Sequence, residues 1–276
     1  MSDPVEITTE SSDNSDETGL LAAEDNSITR VALFIDTQND FFPASTTRKQ
    51  GSLAVTGATD ALLHALRYLT LNTPTDIIVC QDTHTHTNIG HPSYWIDEDG
   101  NHPLPHTVIT AKEIEAEQWL PLWSKLHSYA LKYATRVERQ RNHPIKIWPY
   151  HAIEHTKGHE VVEEVQSFIT EWTKRHGKAA TYIQKGRNSH TEFYSVFRAE
   201  VPIKSDPSTE LNQALIDQLL TYDKIVLIGQ TPALEQSLKD LIEHIPTDRH
   251  QDIVLLANAN EQLVAYANDE GVTVVK

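Results

Sequence analysis

The chain has 276 residues, 39% hydrophobic and 7% aromatic, which is enough for one sizeable α/β core. Its formal net charge of -16 leaves no basic face for phosphate neutralisation, so nucleic acid is excluded as a partner. A single cysteine excludes an internal disulfide, and no apolar run approaches the roughly 18 residues of a membrane span, so a cytoplasmic protein without a membrane partner is expected.

Residues 1–28 form an acidic tail rich in Ser, Thr, Asp and Glu. Eight acidic residues lie between Asp3 and Asp25 and the first basic residue is Arg30, so half of the net charge belongs to this tail. Without apolar periodicity it is expected to be disordered. It has neither the basic and apolar regions of a secretory signal nor the composition of a mitochondrial transit peptide.

Residues 29–276 are expected to form one domain. Short β-branched runs alternate with helical patterns along it. In order these are Val31 to Asp36, a helix from Ala58 to Leu71, and Asp76 to Asp82. Further on come a helix from Glu160 to Lys174, Thr181 to Lys185, a helix from Leu211 to Leu220, and Lys224 to Gly229. The last are a helix from Leu234 to Ile245, Asp252 to Ala257, and Val272 to Val275. Strand and helix in alternation predict βαβ crossovers, hence a three-layer α/β/α sandwich around a mainly parallel, doubly wound sheet. Between about 96 and 145 the pattern breaks into a rim insertion, read as one amphipathic helix from Ala111 to Arg139.

Polar residues stand where the apolar runs end, which is where open α/β sheets bind ligands. Asp36 closes the first strand, Asp82 and His84 follow the second, and Lys185 ends the third. Asp82-Thr83-His84 places two ligand types on one side of an extended segment, and His151 could complete a two-imidazole, one-carboxylate site for Zn, Fe or Mn. Fifteen histidines also make chance proximity easy. Asp36 reads on the residues alone first as half of an ordinary ion pair or a cap on the following turn, and otherwise as a proton-transfer group held ionised by Lys185. Phe41, Tyr94 and Trp95 could wall a ring-shaped ligand or pack in the core. No organic cofactor motif is present.

Five segments, in order, carry a resemblance. They are Phe34-Ile35-Asp36-Thr37-Gln38-Asn39-Asp40-Phe41; Gly51-Ser52-Leu53-Ala54-Val55-Thr56-Gly57-Ala58; Asp82-Thr83-His84 with His91-Pro92-Ser93-Tyr94-Trp95; Trp148-Pro149-Tyr150-His151 with Gly158-His159; and Lys185-Gly186 with Glu192, Tyr194 and Ser195. From about residue 30 to 245 the chain resembles the isochorismatase-like cysteine hydrolases, nicotinamidase among them. The resemblance implies an α/β/α sandwich, Asp36 as general base, Lys185 as the cation beside it, Asp82, His84 and His151 as metal ligands, and self-association into a homo-oligomer.

The resemblance also implies a thiol six residues past the glycine that ends the next strand. Counting from Gly229 lands on Glu235, and slips of one or two residues give Ala233, Leu234, Gln236 or Ser237. In this turn Thr231 and Glu235 stand at oxyanion and nucleophile positions, while Pro232 removes an N–H donor. Three readings follow: a hydrolase in which Asp36 and Lys185 act on a small amide, cyclic or vinyl-ether metabolite with water, one in which Glu235 activates a metal-held water, and an inactive relative that binds a small ligand, metal or protein.

Overall fold

The computed structural model describes residues 27–230, 232–257 and 261–275. The acidic tail up to residue 26 and Thr231 lie outside the described residues. The described chain is built from β1 (Arg30–Ile35), α1 (Ala58–Leu71), β2 (Asp76–Asp82), β3 (Trp95–Ile96), β4 (Val108–Ile109) and α2 (Ala111–Glu115). It continues with β5 (Leu120–Pro121), α3 (His127–Arg141), β6 (Ile145–Lys146), α4 (Glu163–His176), β7 (Thr181–Lys185) and α5 (Gln213–Leu219). The last elements are β8 (Lys224–Gly229), α6 (Ala233–His244), β9 (Ile253–Ala257), α7 (Glu261–Asp269) and β10 (Thr273–Val275).

Six strands form one parallel sheet in the order β10-β9-β8-β1-β2-β7. Alternation along β1 explains the two covering layers. Val31, Leu33 and Ile35 pack with Leu215 and Ile216 of α5, Leu234 and Leu238 of α6, and Leu263 of α7. Ala32 and Phe34 face the other way, into Leu62 and Leu69 of α1 and Val165 and Ile169 of α4. Strand β1 is therefore buried on both faces, as its uninterrupted apolar run requires. The chain leaves β1 toward β2 and β7, then returns to its other side for β8 and β9, so the order reverses beside β1. Such a reversal opens a crevice at the carboxyl ends of the strands.

The rim differs from the single helix expected over Ala111 to Arg139. Helix α2 begins at a capping box between Thr110 and Glu113 and stops after one turn. Pro121, which cannot donate in a helix and disfavours helical geometry before it, falls in β5, paired antiparallel with β3. Helix α3 then starts afresh at His127 and buries Ala130, Tyr133, Ala134 and Val137 against Tyr94, Trp95 and Ile109 in a small core of its own. Helix α7, between the last two strands, also went unpredicted; Leu263 and Ala267 are its buried positions. Among the described residues no helix is long and apolar enough to cross a membrane.

Candidate functional site

Parallel register brings the first group together without any loop rearrangement. Asp82, last residue of β2, lies opposite Lys185, last residue of β7. Asp36 follows β1 directly, held by its N–H on the Cys80 carbonyl at 3.0 Å and turned into the left-handed region at φ 52°. Lys185 Nζ donates to the Phe193 carbonyl at 2.7 Å and forms ion pairs with Asp36 Oδ2 at 3.0 Å and Asp82 Oδ1 at 3.2 Å. All three side chains are buried. Burial pushes the Asp36 carboxyl up to about 6, a rise that Lys185 only partly reverses. Burial opposes the Lys185 charge, but Asp36 and then Asp82 outweigh it and hold the ammonium above its usual range. Gln38 ties these ends together, its amide accepting from the Asp82 N–H and donating to the Asp82 carbonyl, both at 2.8 Å.

Gly186 explains why lysine is followed by glycine here. Its φ of +78° suits glycine, and a Cβ would meet Asp82 Oδ1 at 2.6 Å and the His84 ring at 2.9 Å. His84 lies beyond Asp82 with its Nε2 2.9 Å from Asp82 Oδ2. The backbone of residues 152–154 joins it by hydrogen bonds from the His84 N–H to the Ala152 carbonyl and from the Glu154 N–H to the His84 carbonyl, each 2.9 Å. This bridge carries His151 inward until its Nε2 is 3.5 Å from the same Asp82 oxygen.

A third imidazole belongs with these. His84, His91 and His151 present ligand atoms within 4.8 Å of one another, and all three are buried. His151 Nδ1 lies 2.8 Å from the Pro149 carbonyl and 3.2 Å from His91 Nε2, its Nε2 faces Asp82, and His84 Nδ1 faces the Gly186 carbonyl and Asn88. Burial, reinforced by His151 and His84, pushes His91 down to about 2, so it is a neutral donor at any working pH. Burial raises and the neighbouring His84 and Lys185 charges lower Asp82; the charges win and keep it ionised well below the usual range. Burial opposes a charge on His84, but Asp82 outweighs it and raises the imidazole, whose proton a divalent metal would have to displace. Three imidazoles beside an ionised carboxylate are a donor set that suits such a metal. His91 stands in the quoted sequence segments, but its spacing from His84 carried no ligand signal by itself.

A cavity of about 260 Å3 opens onto this group. Asp36, Asp82, His151 and Lys185 line it, with Phe41, Trp148 and Tyr194 among its aromatic walls. Tyr94 and Trp95 do not reach it: both are fully buried in the rim core, where the Trp95 indole donates to the Ile89 carbonyl. Glu192, which the sequence offered only within a quoted segment, Ala233, offered only as a slip from the counted position, and Gln230, not singled out, also line the cavity.

At the fourth strand end the geometry departs from the count along the sequence. Helix α6 begins at Ala233, and Ala233 and Pro232 are the residues of this turn, with Gln230 before them, that line the cavity. Glu235 lies further along the first turn and pairs with Lys239 at 2.6 Å, so it joins neither Asp36 nor the histidines. The helix begins two residues before Glu235, and the resulting rotation aims the earlier residue at the cavity. The Leu234 N–H is already used by the Gln230 carbonyl at 3.0 Å. Cys80 is buried inside β2.

No protein-family profile matches the chain and no curated protein matches it in sequence. The likeness is one of fold: the chain shares its α/β/α architecture with solved nicotinamidase structures. A nicotinamidase from Acinetobacter baumanii superposes with a TM-score of 0.56 at 16% identity, covering 90% of this chain and 96% of that one. The yeast nicotinamidase, solved with the inhibitor nicotinaldehyde, gives 0.57 at 13% identity over 90% of this chain and 100% of that one. PnC1 from L. infantum, solved in complex with nicotinate, gives 0.52 at 16% identity over 92% of this chain and 96% of that one.

Proposed function

We propose that this chain is a small-metabolite hydrolase that works with water and forms no covalent enzyme intermediate. The observation that carries this reading is the pairing of a complete Asp36–Lys185 group with Ala233 on the same cavity, an alkyl side chain where a nucleophile is needed. Asp36, raised to about 6, can exchange a proton near neutral pH. Lys185 keeps the carboxyl in place and offsets charge that develops beside it. Phe41 and Trp148 favour a flat, ring-shaped substrate of the amide, cyclic or vinyl-ether class.

Asp82, His84, His91 and His151 would hold a divalent ion of the Zn, Fe or Mn type. Such an ion, when bound, supplies a Lewis acid at the cavity floor. A cytoplasmic address and self-association belong to the same proposal, the latter checked by sedimentation.

One observation favours a second reading, in which the protein binds its ligand without turning it over. Pro232 has no N–H and that of Leu234 is spent, so neither can serve an oxyanion. Turnover of nicotinamide and of an isochorismate-type vinyl ether separates the two. The hydrolase reading expects slow release of product by the natural protein and none by Asp36→Asn. Ala233→Cys is expected to gain amidase activity and rapid alkylation by iodoacetamide; amidase activity only in that variant would leave the binding reading standing.

A further inference from the structure

The free hydrogen-bonding capacity of the cavity is unevenly divided between acceptors and donors. Asp36 Oδ1, Glu192 Oε1 and Gln230 Oε1 are buried atoms that accept no hydrogen bond, and all three residues line the same cavity. Among the described residues Lys185 is the one lysine or arginine on its wall, and its ammonium is already surrounded by the Phe193 carbonyl, Asp36 and Asp82. At the start of α6, Pro232 has no N–H and that of Leu234 bonds to the Gln230 carbonyl, so neither adds a donor. Tyr194 accepts from the Trp148 indole at 3.1 Å and keeps one O–H to give.

Glu192 is placed deliberately by its surroundings. Its N–H donates to the Tyr133 hydroxyl of α3 at 3.0 Å, and Gly90 packs so closely that a Cβ there would meet the Glu192 Cδ at 2.5 Å. An unpaired buried carboxylate oxygen is costly unless a donor meets it. The donors that meet carboxylates best are planar cations with two parallel N–H groups.

We propose that the cavity selects a small aromatic cation of the amidine or guanidine class, its N–H groups bonded to Glu192, Gln230 and Asp36 and its ring against Phe41 and Trp148. A carboxylate on the same ring would face the Asp36 and Glu192 carboxylates, against which stand the Tyr194 hydroxyl and the Gln230 amide NH2 as donors. The proposal rests on the cavity being the ligand site.

Calorimetric titration of the full chain, as isolated and at pH 7.5, with benzamidine, benzamide and benzoate tests it, because the three share a ring and differ in the polar group. Benzamidine is expected to bind about 10-fold tighter than benzamide, and benzoate more weakly than both. Glu192→Gln is expected to bring benzamidine down to the level of benzamide, with benzamide binding in the variant reporting that it is folded. Benzoate binding as tightly as benzamidine, or an unchanged benzamidine affinity in Glu192→Gln, overturns the selectivity and leaves the ligand site intact. Binding of none of the three probes removes the ligand site itself and the selectivity with it.

Discussion

The two sides of the cavity are built to different standards. On the β2–β7 side, Asp82, His84 and Lys185 are buried, paired with one another and backed by Gln38, Asn88 and Gly186. On the β8–α6 side, the residues facing the same space are Gln230, Pro232 and Ala233, and the nearby charged residue, Glu235, is spent on a partly exposed lysine. The contrast teaches that electrostatic preorganisation and the nucleophile are separable parts of this fold. The first needs many mutually dependent residues, so losing one exposes the rest; the second is one side chain at a helix start.

The largest test of the contrast is Lys185→Met. It leaves Asp36 and Asp82 as buried carboxylates without their cation, and a loss of about 3–5 kcal/mol in urea unfolding at pH 7.5 is expected. Lys239→Met, which frees Glu235 near the surface, should cost less than about 1 kcal/mol. Equal losses would erase the distinction between the two sides.

Next in size is a pH effect. Asp36 is raised by burial from 3.8 to about 6, so the folded state binds a proton that the unfolded state has already released. The stability of the neutral acid is present below pH 3.8 and is lost as pH rises through about 6. Relative to Asp36→Asn, the natural protein should lose about 3 kcal/mol across that window. Unfolding curves collected at several pH values check the slope, and a rise with pH would reverse the sign assigned to burial.

Metal binding gives a smaller but sharper reading. Calorimetry with Zn2+ is expected to show one site per chain, weakened more than about 10-fold by His91→Ala. An unchanged affinity would return the site to Asp82, His84 and His151 alone. The smallest effect is expected on the other side: Glu235→Ala should change stability by less than about 0.5 kcal/mol and leave ligand binding as it was.

Much of this was legible in the sequence. The parallel sheet followed from apolar runs alternating with helical periods, and Asp36, Asp82 and Lys185 were found because each ends such a run. His151 was found only as a candidate. It comes 67 positions after His84, and a backbone bridge rather than any spacing brings them together. Tyr94 and Trp95 resembled pocket walls because they neighbour His91 in sequence, but a short strand turns them into the rim core. Glu192 stood in a quoted segment without a role and Gln230 carried no signal, since an acceptor without a partner cannot be seen before its surroundings are.

The amino-acid sequence by itself determined the layers, the strand ends and the absence of a thiol outside the core, because these depend on local periodicity and composition. Tertiary structure alone decided that Ala233 rather than Glu235 faces the cavity, that His91 joins His84 and His151, and that the free acceptors share one space. Those outcomes depend on where a helix starts and how its turn is rotated, and on contacts between residues far apart in the chain.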